Sequence, residues 1–155
     1  MTIRFEALPT EAVRLLQNGG TDAYGHAPDR RLSDGVGVPC RHCLRNIEAG
    51  DRYLVMAYRP FESLQPYAET GPIFLHAEPC ARAQPSDAPP PILSSPNYIV
   101  RGYDADEEIM YGTGTVVPTD GIAARAEELL TNDEVAFVHV RSASNNCFQC
   151  RIDRG

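Results

Sequence analysis

The chain has 155 residues, of which 43% are hydrophobic and 23% are charged, a composition typical of one soluble globular domain. The net charge of −7 argues against general binding to nucleic acid or to anionic lipid, and the longest apolar run, residues 53–58, is far shorter than the roughly 20 residues of a membrane helix. All 14 basic residues are arginine, which excludes chemistry that depends on lysine, such as a Schiff base.

The first forty residues predict a strand, a helix and a loop. Residues 3–5 fit a short edge strand, and Pro9 opens a helix whose apolar stripe stops at residues 18–20. Residues 19–39 contain five of the twelve glycines and predict a long surface loop.

The middle of the chain combines two predicted strands with many prolines. Residues 52–59 and 72–76 are rich in aromatic and aliphatic side chains and predict strands. Residues 80–84 fit one helical turn after Pro79, and residues 85–96 predict a proline-rich connector within the same domain.

The last third has the clearest pattern of regular elements. Residues 97–103 and 108–117 predict an antiparallel hairpin. Residues 135–140 are apolar on both faces and predict a central strand. Residues 147–153 predict a strand beside it. Thr119 can cap a helix with one apolar face. The whole chain, residues 1–155, therefore predicts a single α+β domain with two main helices and a mostly antiparallel sheet of six or seven strands.

Four side chains between residues 40 and 80 have spacings that suit a tetrahedral metal ion. Cys40 and Cys43 form a Cys-x2-Cys pair, which can place two thiolates around one ion. His76 ends a predicted strand, and Cys80 follows at the predicted helical turn, whose N-terminal dipole would favour a thiolate. This order resembles a treble-clef zinc-binding unit, so residues 40–84 are predicted to bind zinc.

A second Cys-x2-Cys pair, Cys147 and Cys150, leaves two alternatives open. It could complete an all-cysteine zinc site with Cys40 and Cys43, although that site needs a contact between distant parts of the sequence. It could instead be a redox dithiol, but such motifs usually begin a helix, and few residues follow this pair.

The same region also contains the residue types of a small thiol enzyme. Cys147 could act as a nucleophile with His139 as its base and Asn145 or Asn146 as the orienting group. Arg141 falls on the same face of the predicted strand as His139 and could hold an anionic substrate. The run is equally typical of a polar loop between two strands, and no motif in it defines a reaction class.

The cysteine content and the net charge also limit the cellular compartment and the partners that we expect. Five cysteines cannot all pair internally, and the N-terminus lacks an apolar export segment, so we expect the reducing cytoplasm. We expect no membrane and no nucleic acid as partner, which leaves another protein or a second copy of the chain. A group of arginines could receive an anion but is more simply a solvated surface: Arg30, Arg31, Arg41, Arg45, Arg52 and Arg59.

Several short sequence segments along the chain resemble those of a bacterial family catalogued as domain of unknown function 1203. They are residues 38–41, 71–74, 101–104, 138–140 and 147–151. The resemblance implies a compact bacterial domain and carries no activity or catalytic residue with it. The leading hypothesis is thus a small cytosolic binding or scaffold module with a structural zinc, and the alternative is the thiol enzyme or the redox protein.

Overall fold

The computed structural model describes residues 2–155, and within them it contains two α-helices and eight strands. In chain order the elements are β1 (Ile3–Glu6), α1 (Thr10–Gln17), β2 (Asp29–Leu32), β3 (Arg52–Tyr58), β4 (Gly71–His76), β5 (Asn97–Tyr103), β6 (Thr115–Pro118), α2 (Ile122–Leu130), β7 (Phe137–Ser142) and β8 (Phe148–Arg154). The α+β class, the antiparallel pairing and the two helices are confirmed. The eight strands form two sheets instead of one.

The large sheet has five strands in the order β1-β8-β7-β5-β6. The first five residues of β7 are all buried, so this strand occupies the centre, as its apolar sequence predicts. The helix α2 covers one face of the sheet, and the predicted apolar stripe faces the core. Its buried residues are Ile122, Ala126, Leu129 and Leu130.

The small sheet has three strands in the order β2-β3-β4. Leu54 and Met56 of β3 and Ile73 and Leu75 of β4 alternate inward and pack against Val13 of α1. The strand β2 lies inside the segment 19–39 that the sequence predicts to be a loop. All four of its residues are exposed, so it pairs with β3 through its backbone and carries no apolar alternation that could reveal it.

The predicted hairpin of the last third is shorter than expected. The strand β6 begins at Thr115, whereas the sequence predicts a strand from residue 108. The hydroxyl of Thr113 accepts a hydrogen bond from the backbone N–H of Gly102 at 3.0 Å and so replaces a partner strand at that point. Residues 104–114 consequently form a compact loop.

The predicted helical turn at residues 80–84 is wrong. The backbone N–H of Ala83 donates to the carbonyl of His42 at 2.9 Å, so it is not available for a helical bond. Arg82 also donates to the carbonyl of Ala7, which ties this segment to the end of β1. Long-range bonds therefore order the chain here. None of the helices described is both long and apolar enough to cross a membrane.

Candidate metal centre

Cys40, Cys43, His76 and Cys80 meet at one end of the small sheet. One ligand atom from each of the four lies within 4.8 Å of the other three. The sulfurs of Cys40 and Cys80 are 3.9 Å apart, and the sulfur of Cys43 is 3.6 Å from Nδ1 of His76. The convergence predicted from the spacing is confirmed.

These separations match the edges of a tetrahedral site. Bonds of about 2.3 Å to sulfur and about 2.1 Å to nitrogen give ligand-to-ligand edges of roughly 3.6–3.8 Å in a regular tetrahedron. The two distances, 3.9 Å and 3.6 Å, fall within a few tenths of an ångström of that range. The cluster could therefore hold a metal ion once its longer separations, all within 4.8 Å, contract to the same range.

A tight turn at residues 40–45, the knuckle, positions the first ligand pair. The N–H of Leu44 donates to the carbonyl of Cys40, and the N–H of Cys40 donates to the carbonyl of Arg45. Leu44 has a φ of 56°, an uncommon conformation for a branched residue, and its buried side chain joins the core of the large sheet. Packing of Leu44 thus holds the knuckle in its strained shape.

The second ligand pair is held by β4 and by α1. His76 is the last residue of β4 and pairs with Tyr53 of β3. The amide of Gln17 donates to the carbonyl of His76 at 2.9 Å, and the guanidinium of Arg14 donates to the carbonyl of Cys80 at 2.9 Å. Side chains from the second half of α1 therefore hold the backbone at Cys80, where the sequence predicts a helical turn.

The three thiols compete for protons. Hydrogen bonds from Cys43, and then from Cys80, hold the pKa of the Cys40 thiol well below its usual range. Their hydrogen bonds to Cys40 raise the pKa of Cys43 and of Cys80. Without a cation the cluster thus favours one thiolate. A divalent ion would remove this competition, because a coordinated thiol loses its proton outright.

The side chain of His42 is a further part of the site that the sequence analysis did not identify. It is fully buried, and its Nδ1 lies 3.1 Å from the sulfur of Cys80. Its Nε2 lies 2.8 Å from the hydroxyl of Thr10, which can donate to it and leave the proton on Nδ1. Burial lowers the pKa of His42, so the neutral ring can donate one hydrogen bond to a Cys80 thiolate. The position of His42 between Cys40 and Cys43 was the one feature of the sequence that could have indicated its place beside the site.

The second cysteine pair lies outside this cluster. Cys147 sits in the turn before β8, where its sulfur is 3.8 Å from the carbonyl of Asn145. Cys150 lies in β8 within the core of the large sheet, and burial raises its pKa to about 12. The structure thus separates this pair from Cys40 and Cys43 and does not unite them in one site.

In the part of the chain that the structure describes, the thiol-enzyme hypothesis lacks its central contact, a hydrogen bond between the proposed base His139 and the proposed nucleophile Cys147. The ring of His139 is buried among four aromatic rings, those of Phe61, Tyr103, Phe137 and Phe148, at centroid distances between 4.7 and 5.2 Å. Its Nδ1 lies 3.2 Å from the guanidinium of Arg141, and burial lowers the pKa of His139 well below 6.5. Arg141 also pairs with Glu69, and no hydrogen bond links His139 to Cys147 within residues 2–155.

A second group of side chains that lie close together is acidic and lies away from the cysteines. Asp104, Asp106 and Glu108 bring their carboxylates together in the loop after β5. Asp104 uses its carboxylate to accept the backbone N–H groups of Asp106 and Glu108, so the group has the geometry of a capped turn.

Comparison with known proteins gives a family and no activity. No curated protein matches the chain, and no solved structure matches it either. A match to a family does exist and runs from residue 37 to residue 154, so it covers more than half of the chain and includes the whole cluster. The chain belongs to the family described as "Protein of unknown function (DUF1203)".

Proposed function

We propose that this chain is a binding or scaffold module whose Cys40, Cys43, His76 and Cys80 side chains hold a structural zinc ion. The observation that carries the proposal is the convergence of four ligand atoms, each within 4.8 Å of the others, from segments that are distant in sequence. Three soft thiolates and one imidazole select zinc among the common divalent cations, because hard cations such as Mg²⁺ and Ca²⁺ prefer oxygen.

Four protein ligands support a structural role for the ion. A catalytic zinc usually keeps one position open for water or substrate, whereas a structural zinc is closed by four side chains. Three thiolates and one divalent ion leave a net charge of −1. The N–H of His42 and the backbone N–H of His76, 3.4 Å from the sulfur of Cys40, are placed to offset that charge.

The ion would add to the long-range hydrogen bonds that hold an irregular part of the chain. Cys80 begins a stretch up to residue 96 with no helix and with only one isolated backbone bridge, between Phe5 and Ser86. A single ion would join this stretch to β4 and to the knuckle. Reduced thiols are needed for such a site, so the proposal places the protein in the cytoplasm, with another protein or a second copy of the chain as its partner.

Metal content in two matched cysteine variants tests the proposal. Cys43 and Cys147 are both partly buried and neither forms a disulfide. The protein purified without chelator should contain close to one zinc per chain, and Cys43→Ser should lose it. Cys147→Ser should keep the metal in full. Equal metal content in the two variants, or folded wild-type protein without metal, would overturn the proposal.

A further inference from the structure

Arg41 is a buried cation without a counter-ion. The residue is 3% exposed and takes part in no ion pair within residues 2–155. Arg141 is equally buried, but its guanidinium pairs with the carboxylate of Glu69 at 3.3 Å. Because a charge removed from water normally requires a partner, the lone guanidinium of Arg41 indicates a missing anion.

The guanidinium is held rigidly with part of its donor capacity unused. Its Nε donates to the carbonyl of Phe148 at 2.9 Å, and its Nη1 donates to the carbonyl of Pro39 at 2.7 Å. Its central carbon lies 5.7 Å from the centre of the Phe74 ring. No described residue accepts a hydrogen bond from Nη2, so a planar guanidinium is presented with free N–H groups in one fixed orientation.

The free end of Arg41 borders a cleft of about 750 Å³. The cleft lies between the knuckle, β4 and the turn that joins β7 to β8. Arg41 is the one charged residue in its described lining, and no acidic residue contributes to it. In a chain with a net charge of −7, a cleft with one cation and no acid is selective for a negatively charged ligand.

Neutral donors and apolar walls complete the cleft. The hydroxyl of Ser142 accepts the N–H of Cys147 at 2.9 Å and keeps its own proton free to donate, and the side-chain amide of Asn145 has no partner among the described residues. Phe74 and Ile92 supply apolar surface in the same cleft. This combination is typical of a site for a small organic ligand with one polar end.

We propose that this cleft, the Arg41 cleft, binds a small organic carboxylate whose charged group pairs with Arg41 and whose apolar body lies along Phe74 and Ile92. A single guanidinium neutralises one negative charge, so a carboxylate fits better than a phosphate dianion, which would need a second cation. The knuckle thus has two roles: its cysteines face the metal cluster, and Arg41 between them faces the ligand.

Binding of benzoate to the full-length protein as purified, followed by NMR of the backbone amides, tests the inference. Benzoate should produce saturable shifts in the amides of Arg41, Ser142 and Gln149. Benzamide, which has the same shape without the charge, should bind at least about tenfold more weakly, and so should inorganic phosphate. Absence of saturable benzoate shifts at these amides, or stronger binding of benzamide or phosphate, would contradict the proposal.

Two pairs of variants locate the binding. Arg41→Gln should abolish the shifts, whereas Arg45→Gln, at an exposed neighbour, should keep them. Because Arg41→Gln could disturb folding, a second pair uses the exposed turn: Asn145→Asp places a negative charge in the cleft and should weaken benzoate about tenfold. Ser144→Asp, outside the lining, should leave the affinity unchanged. Equal affinities in the two turn variants would overturn the inference, and metal content measured on the same samples keeps this outcome separate from the zinc proposal.

Discussion

The large and the small sheet differ in how much of their surface they bury and in what lies at their ends. The large sheet buries a continuous apolar core between β7, its neighbouring strands and α2, and its central residues Val138 and Val140 are fully buried. The small sheet fully buries only one face, and three cysteines and a histidine meet at its end. Both regions have an apolar core, and only the small sheet adds to its core a cluster of side chains that could hold a metal ion.

If the cluster holds zinc as proposed, the ion would help to order the proline-rich middle of the chain. A structural zinc contributes about 10–16 kcal/mol in small peptides, which is comparable with the roughly 5–15 kcal/mol stability of a whole domain. Such an ion can order an irregular segment that has no helix or strand of its own. Leu44, which lies in the knuckle but packs in the large core, connects the two regions.

The largest expected effect comes from removing the metal. Cys43 and Cys80 border a groove of about 680 Å³, so a chelator can reach the site. Chelation should strongly reduce the hydrogen-exchange protection of Leu54 and Leu75 in the small sheet and leave that of Val140 nearly unchanged. Added zinc should restore the protection. Equal loss in both sheets would show that the two regions are not stabilised separately.

The converse change weakens the large core and spares the metal. Leu130 is fully buried under the large sheet, and Leu130→Ala should lower the free energy of unfolding by about 2–5 kcal/mol. Zinc content should stay at one ion per chain. Val116→Ala, at an exposed position of β6, is the control and should change stability by less than about 0.5 kcal/mol. Urea unfolding of the zinc-saturated protein measures both.

A smaller effect is expected from the hydrogen bond between His42 and Cys80. His42→Phe keeps a ring in the site but removes the donor to the sulfur, so zinc affinity should fall about 10–100-fold. Competition with a chromogenic chelator measures the affinity. The exposed His26 provides the control, and His26→Phe should bind zinc as the wild type does. An unchanged affinity in His42→Phe would mean that the ring only fills space.

The smallest effect is a pH dependence located in the large sheet. Burial holds the pKa of His139 well below 6.5, so below pH 6.5 the unfolded chain binds a proton that the folded chain does not. Stability from this group is therefore complete above pH 6.5 and should decrease by about 1.4 kcal/mol per pH unit below it, until the folded pKa is reached. His139→Phe should show a shallower acid slope in urea unfolding at matched zinc content. Identical slopes would exclude His139 as the source.

The apolar elements of the fold and the convergence of the four candidate metal ligands could be predicted from the sequence. The apolar run before Arg141 identified the central strand, and the spacing of Cys40, Cys43, His76 and Cys80 predicted the cluster. The exposed strand β2 was missed because pairing through the backbone leaves no side-chain pattern.

Features that depend on long-range contacts could not be obtained from the sequence. The segment after Cys80 bonds to His42 and Ala7 instead of forming a helical turn. Arg41 belongs to a run of arginines that looks like a solvated surface, yet it is buried through contacts with residues distant in sequence, among them Phe148, 107 positions away.

X-ray absorption at the zinc edge of the purified protein tests the central claim most directly. The account predicts one zinc per chain, surrounded by three sulfur atoms at about 2.3 Å and one imidazole nitrogen at about 2.0–2.1 Å. Four sulfur atoms around the ion, a shell of oxygen ligands, or folded protein that contains no zinc would contradict it.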